Sequence, residues 1–322
     1  MATADQIKGL IKAYIDKDNA RFKTIVLQIA AYEAKLNHTS LARDLKLLSD
    51  KIKNSKVSVV DFRGTKNRTD SLFEVQHKKF VLRDLIVSND IEDKIKRILV
   101  EFKNRRKLYS YGMENRRKIL IEGAPGTGKT LTATVIANEL NLPLYVVQMD
   151  KLISKFMGET SAKLRQIFDD IEENIGVYFF DEFDAIGADR SLDNEVGEMR
   201  RILNSYLQFL EQDMSESLII AATNNSKLLD QALLRRFDDV LHYKIPTAYE
   251  IKRLYEYKLS IFASYLTISD LVIESSLGLN HAEIIRVCDD AIKQSILTNK
   301  SINEADLLSL IKERLYLYTQ EA

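Results

Sequence analysis

The sequence is poor in the residues that build disulfide frameworks and metal clusters. Its 322 residues include one cysteine, three prolines, four histidines and no tryptophan. One thiol and four scattered imidazoles exclude a disulfide framework and a zinc site built from cysteine and histidine. Cys288 shares a helical spacing with Ile284, Ile285 and Ala291, which predicts that it is a small buried apolar side chain.

The chain also lacks an excess of charge and any long apolar run. Its 47 basic and 47 acidic residues cancel, so the electrostatic footprint of a nucleic-acid-binding protein is missing over the whole chain. It has no apolar run long enough to span a bilayer, and its first ten residues lack the apolar core of a signal peptide. We therefore expect a cytoplasmic protein without a membrane partner.

The pattern along the chain divides it into four parts. Residues 1–50 repeat apolar side chains at helical spacing, which predicts a small helical unit that docks a partner or substrate. Residues 51–75 are rich in lysine and arginine and are interpreted as a basic linker, with a nucleic-acid or acidic-partner contact as the alternative. Residues 76–246 alternate strands and helices, and residues 247–322 are helical in pattern.

The strands of the third part are continuously apolar, as in Val177–Phe180, and alternate with helices such as Thr130–Leu140 and Glu195–Glu211. Strands of this kind are buried on both faces, which predicts a parallel sheet covered by helices. The expected fold class is α/β, followed by a small all-α lid domain and preceded by the small helical unit.

A glycine-rich loop follows the predicted strand Lys118–Glu122. Its sequence, GAPGTGKT, fits G-x-x-x-x-G-K-[ST] in full, which indicates a P-loop nucleoside triphosphatase. The glycines let backbone N–H groups face phosphate oxygens, and the next helix adds its positive N-terminus. Lys129 is expected to reach the β- and γ-phosphates, and the Thr130 hydroxyl to ligate Mg²⁺. The predicted nucleotide-binding residues here are Gly123, Ala124, Pro125, Gly126, Thr127, Gly128, Lys129, Thr130 and Leu131.

Polar side chains close two of the apolar strands. Asp181 directly follows Val177–Phe180 and is expected to hold Mg²⁺, partly through water, together with Thr130. Glu182 comes next and can orient and polarise the attacking water. Asn224 closes the following strand and is expected to reach the γ-phosphate or that water.

Arg235 and Arg236 lie on the flank of the predicted nucleotide domain. An arginine from a neighbouring subunit can stabilise the charge that develops on the γ-phosphate. Because neither arginine easily reaches its own nucleotide from the flank, a head-to-tail contact is needed, and head-to-tail contacts that close make a ring.

The segments GAPGTGKT, FFDEFDAIG, ATNN and ALLRRFD together resemble the AAA ATPases over roughly residues 80–300. The resemblance implies that ATP and Mg²⁺ are the cofactors. It also implies an adenine pocket formed by Leu85 and Ile86 and by His281 and Ala282 of the segment LGLNHAEI. The family usually has Ser and Gly where this chain has Asn280 and His281. The arginine segment lacks the Pro-Gly of many relatives, so the choice between the two arginines stays open.

In AAA unfoldases the segment matching Lys155, Phe156, Met157 and Gly158 is the first pore loop. An aromatic side chain with a flexible apolar neighbour can grip an extended peptide without sequence selectivity, whereas burial of the pair in the core is the alternative. The resemblance thus implies a protein substrate and a ring homo-oligomer, usually a hexamer.

A narrower resemblance rests on ATADQIKGLIKAYIDKDNARF, LISKFMGETSAKLR and VYFFDEFDAIGADR. These stretches look like AAA ATPases that are paired with a subtilisin-like serine protease in bacterial plasmid-stability and anti-phage modules. The chain has no G-x-S-x-G segment, so proteolysis is assigned to a partner that residues 1–50 help to recruit.

Two other functions are compatible with the sequence. A nucleic-acid loader or remodeller would use the basic linker and the clusters at residues 105–107 and 116–118, and it would show a steep salt dependence of binding. A nucleotide-gated binding module would bind ATP with little turnover. Glu182 argues against the second, because the carboxylate that orients water is present.

Overall fold

The computed structural model describes residues 72–76, 79–152, 159–183, 193–224, 234–263 and 265–319, together with isolated positions before residue 39. The chain forms two compact units, residues 1–66 and residues 67–322. In the first unit, residues 24–26 and 28–30 are helical, and Val26, Ile29 and Ala30 are buried.

The second unit contains one six-stranded sheet. Its strands, in chain order, are β1 (Phe73–Gln76), β2 (Lys118–Gly123), β3 (Leu144–Val147), β4 (Val177–Phe180), β5 (Leu218–Thr223) and β6 (Asp239–Tyr243). They lie in the order β1-β3-β4-β5-β2-β6. All neighbouring pairs are parallel except β1 with β3.

Helices connect and cover these strands. A short 3₁₀ turn at Leu82–Asp84 precedes the first of them. The helices of the sheet domain are α1 (Asn89–Lys103), α2 (Arg105–Ser110), α3 (Lys129–Leu140), α4 (Met149–Leu152), α5 (Glu159–Glu173) and α6 (Asp193–Gln212). The C-terminal helices are α7 (Ala248–Leu259), α8 (Asp270–Ser275), α9 (His281–Thr298) and α10 (Glu304–Thr319).

The sheet is buried on both faces, as its apolar strands predict. On β4, Tyr178 and Phe180 face a core shared with α5 and α6, whereas Val177 and Phe179 face a second core shared with α1 and α3. All four side chains have no exposed surface. Because successive side chains of the strand enter two different cores, no position of β4 faces solvent, and the strand carries no charged residue.

The C-terminal helices have a core of their own, which includes Leu254, Val287 and Leu310. Cys288 lies within it and is fully buried, so the prediction of a small buried side chain is confirmed. Burial raises the pKa of its thiol to about 12, which keeps it protonated and unreactive at neutral pH. No helix in the described ranges combines the length and apolarity that a bilayer span requires.

The edge strand β1 departs from the sequence-based prediction. Phe73, Glu74 and Val75 fall at the end of the segment interpreted as a basic linker, yet they pair antiparallel with β3. The sheet is therefore parallel except at this edge. Phe73 holds this strand by packing on Tyr145 and Tyr178. Four residues are too few to show the alternating pattern by which a strand is predicted from sequence.

Two buried tyrosines differ in the hydrogen bonding of their hydroxyl groups, so removal of each hydroxyl is expected to change the stability of the protein in opposite directions. The Tyr206 hydroxyl is buried and has no hydrogen-bond partner among the described residues, so Tyr206→Phe removes an uncompensated polar group and is expected to stabilise the protein by about 1 kcal/mol. The Tyr178 hydroxyl donates to Asp170 Oδ2 at 2.8 Å, so Tyr178→Phe is expected to destabilise by about 1 kcal/mol. Urea denaturation of both variants measures the free energy of unfolding. An equal decrease in both variants would contradict the prediction.

Candidate functional site

Strands β2, β4 and β5 lie next to one another and end at the same edge of the sheet. Phe180 of β4 is opposite Ala221 of β5, and Glu122 of β2 is opposite Thr223. In open α/β sheets, ligands bind at the carboxyl ends of the strands. The residues that follow the three strands, Ala124, Asp181 and Asn224, are therefore gathered at this edge.

The loop between β2 and α3 passes so close to its neighbours that two of its positions require glycine. A Cβ atom on Gly123 would lie 2.6 Å from the Cβ and carbonyl oxygen of Tyr243 on β6. On Gly126, whose φ is 75°, it would lie 2.8 Å from the Asn280 side chain. Side chains are thus excluded where the loop turns, and its backbone amides are left to face a ligand.

The Lys129 side chain crosses beneath this loop at the start of α3. Its Nζ donates to the carbonyl oxygens of Gly123 at 2.7 Å and Ala124 at 3.0 Å, and to Oδ1 of Asn224 at 2.7 Å. One ammonium group therefore connects the loop after β2 with the end of β5. Only 7% of Lys129 is exposed, so its charge acts where water screens it little.

Thr130 and Asp181 lie next to Lys129 on the open side of the loop. The Thr130 hydroxyl donates to Oδ2 of Asp181 at 2.9 Å. A hydroxyl and a carboxylate oxygen side by side are ligands of the kind that Mg²⁺ accepts, with phosphate and water completing its octahedron. In the described ranges no group of three His, Cys, Asp or Glu side chains is placed to hold a metal ion.

Glu182 has an unusual backbone conformation that a buried neighbour explains. Its φ is 52°, in the left-handed region that residues with a side chain seldom adopt. The next residue, Phe183, is buried and packs on Tyr206 with ring centroids 4.6 Å apart. The chain turns sharply to bury Phe183, and that turn leaves Glu182 exposed beside Asp181. Strain of this kind is concentrated at functional sites.

The start of α9 lies directly on the glycine loop. The Ala282 N–H donates to the carbonyl oxygen of Gly126 at 3.0 Å, and Asn280 Nδ2 donates to that of Pro125 at 3.3 Å. Asn280 also caps the helix, because its Oδ1 accepts from the Glu283 N–H at 2.9 Å. The C-terminal helical part is thus bonded to the loop by one backbone N–H and one side-chain amide.

These elements enclose a cavity of about 390 Å³, a size typical of small-molecule sites. One end is polar and the other apolar. The lining residues are Asp84, Leu85, Ile86, Pro125, Gly126, Thr127, Gly128, Lys129, Thr130, Leu131, Asp181, Glu182, Asn224, Leu254, His281, Ala282 and Ile285. Gly123 and Ala124 do not line it, and their carbonyl oxygens serve instead as acceptors for Lys129.

The cavity fits a nucleoside triphosphate. Its polar end combines the loop amides, the N-terminus of α3 and the Lys129 ammonium, all of which favour phosphate oxygens. Its apolar end, with Leu85, Ile86 and Leu254, can cover a base. The pKa of His281 at this end is lowered by burial, which disfavours its charged form, so the imidazole is neutral at pH 7.

The two arginines are in different environments. Arg236 Nε lies 2.6 Å from Glu211 Oε1 in an ion pair with the end of α6. Arg235 is exposed, and no ion pair of it occurs in the described part of the chain. Neither lines the cavity. The expected pore-loop residues, Lys155, Phe156, Met157 and Gly158, lie outside the described residues.

Sequence reasoning missed several residues that shape the site. Ile285 follows His281 by one helical turn and could have been found from that spacing. Leu254, by contrast, reaches the cavity from α7 by tertiary packing that no local pattern reveals. Tyr243 supports the loop from β6, and its hydroxyl hydrogen-bonds the Thr132 hydroxyl on α3.

Comparison with known proteins agrees with this geometry. Residues 119–245 match the family described as "ATPase family associated with various cellular activities (AAA)". The chain also resembles the crystal structure of the FIGL-1 AAA domain, with a TM-score of 0.61 and 19% identity over 78% of this chain and 90% of that one. This likeness confirms the predicted α/β fold with its helical C-terminal part.

Three sequence relatives are informative. The AAA family ATPase y4kL of Sinorhizobium fredii is 33% identical over 95% of this chain and 93% of its own length. The ATP-dependent zinc metalloprotease FtsH 2 of Thermoanaerobacter sp. is 29% identical over 73% of this chain and 48% of its own. A protein of Methanothermobacter thermautotrophicus, described as a 26S proteasome regulatory subunit homolog, is 34% identical over 44% of this chain and 38% of its own.

The coverage differs among these relatives. The chain spans about half of FtsH 2 and less than half of the proteasome subunit homolog, so their similarity concerns a shared part. The similarity to y4kL runs over almost the whole of both chains. This protein therefore belongs to the AAA family, and it is an ATPase.

Proposed function

We propose that this ATPase works as a ring oligomer that uses MgATP hydrolysis to remodel or thread protein substrates. The observation that supports hydrolysis at this site is the meeting of Lys129, the Thr130–Asp181 pair, Glu182 and Asn224 at one end of one cavity. Lys129 supplies a positive charge that binds phosphate, Thr130 and Asp181 supply two metal ligands, and Glu182 supplies a carboxylate that can activate water.

Phosphate binding relies on the loop amides and on Lys129. The ammonium group neutralises charge on the β- and γ-phosphates. Thr130 and Asp181 would hold Mg²⁺, which when bound neutralises the charge that develops on the phosphate oxygens. No other charged lysine or arginine lines the described cavity, so the ammonium of Lys129 is the main local cation that the chain itself provides.

Water activation is assigned to Glu182 and Asn224. The Glu182 carboxylate accepts a proton as the water oxygen attacks the γ-phosphorus and the bond to the β-phosphate oxygen breaks. Asn224, held through its Oδ1 by Lys129, orients the water or the γ-phosphate with its amide group.

Glu182→Gln and Lys129→Ala separate hydrolysis from binding. We expect Glu182→Gln to lower kcat at least about a hundredfold, because the amide cannot accept the proton, while ATP still binds. Lys129→Ala is expected to weaken ATP binding at least about tenfold, because a charge-assisted contact is lost. Phosphate release and equilibrium binding of ATP measure both. An unchanged kcat in Glu182→Gln would show that another residue activates the attacking water.

The trans-acting group is assigned to Arg235 rather than Arg236. Arg236 is engaged with Glu211 on its own subunit, whereas Arg235 is exposed on the flank. We propose that Arg235 reaches the γ-phosphate of the adjacent subunit and that the Arg236 ion pair keeps the segment in place. Head-to-tail contacts of this kind close into a ring.

Mixing two inactive variants tests the trans arrangement. Arg235→Ala is expected to lower the rate of ATP hydrolysis by about a thousandfold, because the negative charge that develops on the γ-phosphate is no longer stabilised. Arg236→Ala is the matched control and is expected to lower that rate less. Mixed with Glu182→Gln, Arg235→Ala should regain measurable activity, since an intact Glu182 on one subunit then meets an intact Arg235 on the next. Phosphate release by the mixture is the measurement. No gain on mixing would exclude a shared site.

Remodelling of protein substrates is supported by the relatives, which include a protease named as ATP-dependent and a proteasome regulatory subunit homolog. It is also supported by the resemblance of Lys155, Phe156, Met157 and Gly158 to a pore loop. The narrower resemblance extends the proposal to a separately encoded subtilisin-like serine protease, in a bacterial defence or plasmid-stability setting, with residues 1–50 as the recruiting unit.

A trapped complex tests the substrate class. Glu182→Gln with ATP and Mg²⁺ is expected to elute as a hexamer by light scattering and to retain polypeptides when isolated from cells, because the motor stalls with its cargo bound. Lys129→Ala is the control that cannot load ATP. A monomer at working concentration would contradict the ring, and recovery of nucleic acid instead of protein would favour a loader.

A further inference from the structure

Arg235 and Arg236 form the middle of a tight turn that precedes β6. The Phe237 N–H closes this turn by donating to the carbonyl oxygen of Leu234 at 3.2 Å. β6 runs parallel to β2, whose carboxyl end leads into the glycine loop. The turn therefore lies at the amino edge of the sheet, whereas the cavity lies beyond the carboxyl edge. The six-residue strand β2 spans roughly 20 Å between the two, which is farther than an arginine side chain reaches.

The residues that follow Arg235 are held from two sides. The Phe237 side chain is 7% exposed and packs in the core that β4 shares with α5 and α6. Arg236 is paired with Glu211 at the end of α6. Arg235 itself is exposed. The turn is thus anchored both on the core and on α6, and it presents Arg235 at the surface.

Asp238 adds a third anchor, on the start of β2. Its Oδ2 accepts from the N–H groups of Arg117 at 2.9 Å and Lys118 at 2.8 Å, and its own N–H donates to the Lys118 carbonyl oxygen at 2.7 Å. The regular pairing of the two strands begins one residue later, at Ile119 and Asp239. A carboxylate bonds backbone N–H groups more strongly than a neutral acceptor does. Asp238 therefore extends the attachment of β2 from the strand β6 to the turn that carries Arg235.

The start of β2 is itself fixed. The Arg117 guanidinium forms an ion pair with Asp213, and the exposed fractions of the two side chains are 7% and 0%. The Arg117 carbonyl oxygen also accepts from the Ile219 N–H of β5 at 2.7 Å. Loss of one partner of a buried ion pair strongly destabilises a protein, so Arg117 and Asp213 are unsuitable for a test of function. Asp238 is exposed and can be changed without leaving a charge buried.

We propose that Asp238 is a positioning residue, which holds the turn so that Arg235 reaches the γ-phosphate in the adjacent subunit. The inference rests on the proposed function, which assigns Arg235 to that site. Displacement of a reacting group by about 1 Å can lower a rate about a hundredfold. Because Asp238 is bonded to β2, the strand that leads to a subunit's own glycine loop also fixes the arginine that the subunit contributes to its neighbour.

Three single variants of the intact chain test this role. Asp238→Ala is expected to lower kcat about a hundredfold and to leave ATP affinity unchanged, because its own cavity is intact. Asp238→Asn, whose amide oxygen can accept the same two bonds, is expected to lose less than about tenfold. Asp239→Ala is the matched control, since Asp239 pairs with Lys94 and Arg97 of α1, and its kcat should stay near that of the wild type.

Mixing experiments separate positioning of the arginine from a general loss of structure. Asp238→Ala keeps Glu182 and its own cavity, so a neighbour with a correctly placed Arg235 should restore its turnover. Mixed with Glu182→Gln, it is expected to regain measurable phosphate release. Mixed with Arg235→Ala, it should regain nothing, because neither subunit then presents a positioned arginine.

Three results would overturn the inference. An unchanged kcat of Asp238→Ala would show that Arg235 needs no support from β2. A gain with Arg235→Ala instead of Glu182→Gln would place the effect of Asp238 in its own subunit's cavity. No gain in either mixture would show a general structural role. Asp238→Ser, whose hydroxyl can accept one of the two bonds, repeats the assay if Asp238→Ala does not fold.

The mixture of Arg235→Ala with Glu182→Gln tests the proposed function separately. If this mixture gains no activity, the shared site is excluded and the role of Asp238 is excluded with it. If it gains activity while any of the three results above is found, the role of Asp238 alone is excluded.

Discussion

The ammonium group of Lys129 is bonded at once to two carbonyl oxygens of the glycine loop and to the side chain at the end of β5. The sheet brings these acceptors together, because β2 and β5 are neighbours that end at the same edge. Close packing of Gly123 on Tyr243 fixes where the loop leaves the sheet. The placement of the cation, and therefore of any phosphate it binds, depends on the packing of three strands.

Much of this arrangement could be predicted from the sequence. The bounds of β4, Val177–Phe180, follow directly from four consecutive apolar residues that end in two carboxylates. The glycine loop carries the complete spacing of a phosphate-binding loop between a strand and a helix, so its function can be inferred from its sequence alone. The buried Cys288 likewise follows from helical periodicity.

Other features could not be predicted because they arise from packing between distant segments. β1 is held at the sheet edge by the rings of Phe73, Tyr145 and Tyr178, which lie far apart in the chain. The left-handed turn at Glu182 results from burial of Phe183 against α6, and nothing in the adjacent sequence marks it. The ion pair that distinguishes Arg236 from Arg235 likewise depends on Glu211.

The bonds from α9 to the glycine loop have an electronic consequence. The carbonyl of Pro125 shares a peptide group with the Gly126 N–H, and the carbonyl of Gly126 shares one with the Thr127 N–H. Donation from Asn280 and Ala282 to those oxygens polarises both amides and strengthens them as donors, by roughly 10–30% per bond. Separation of α9 from the loop would therefore weaken these amides as donors to a triphosphate, even with every atom of the loop in its original place.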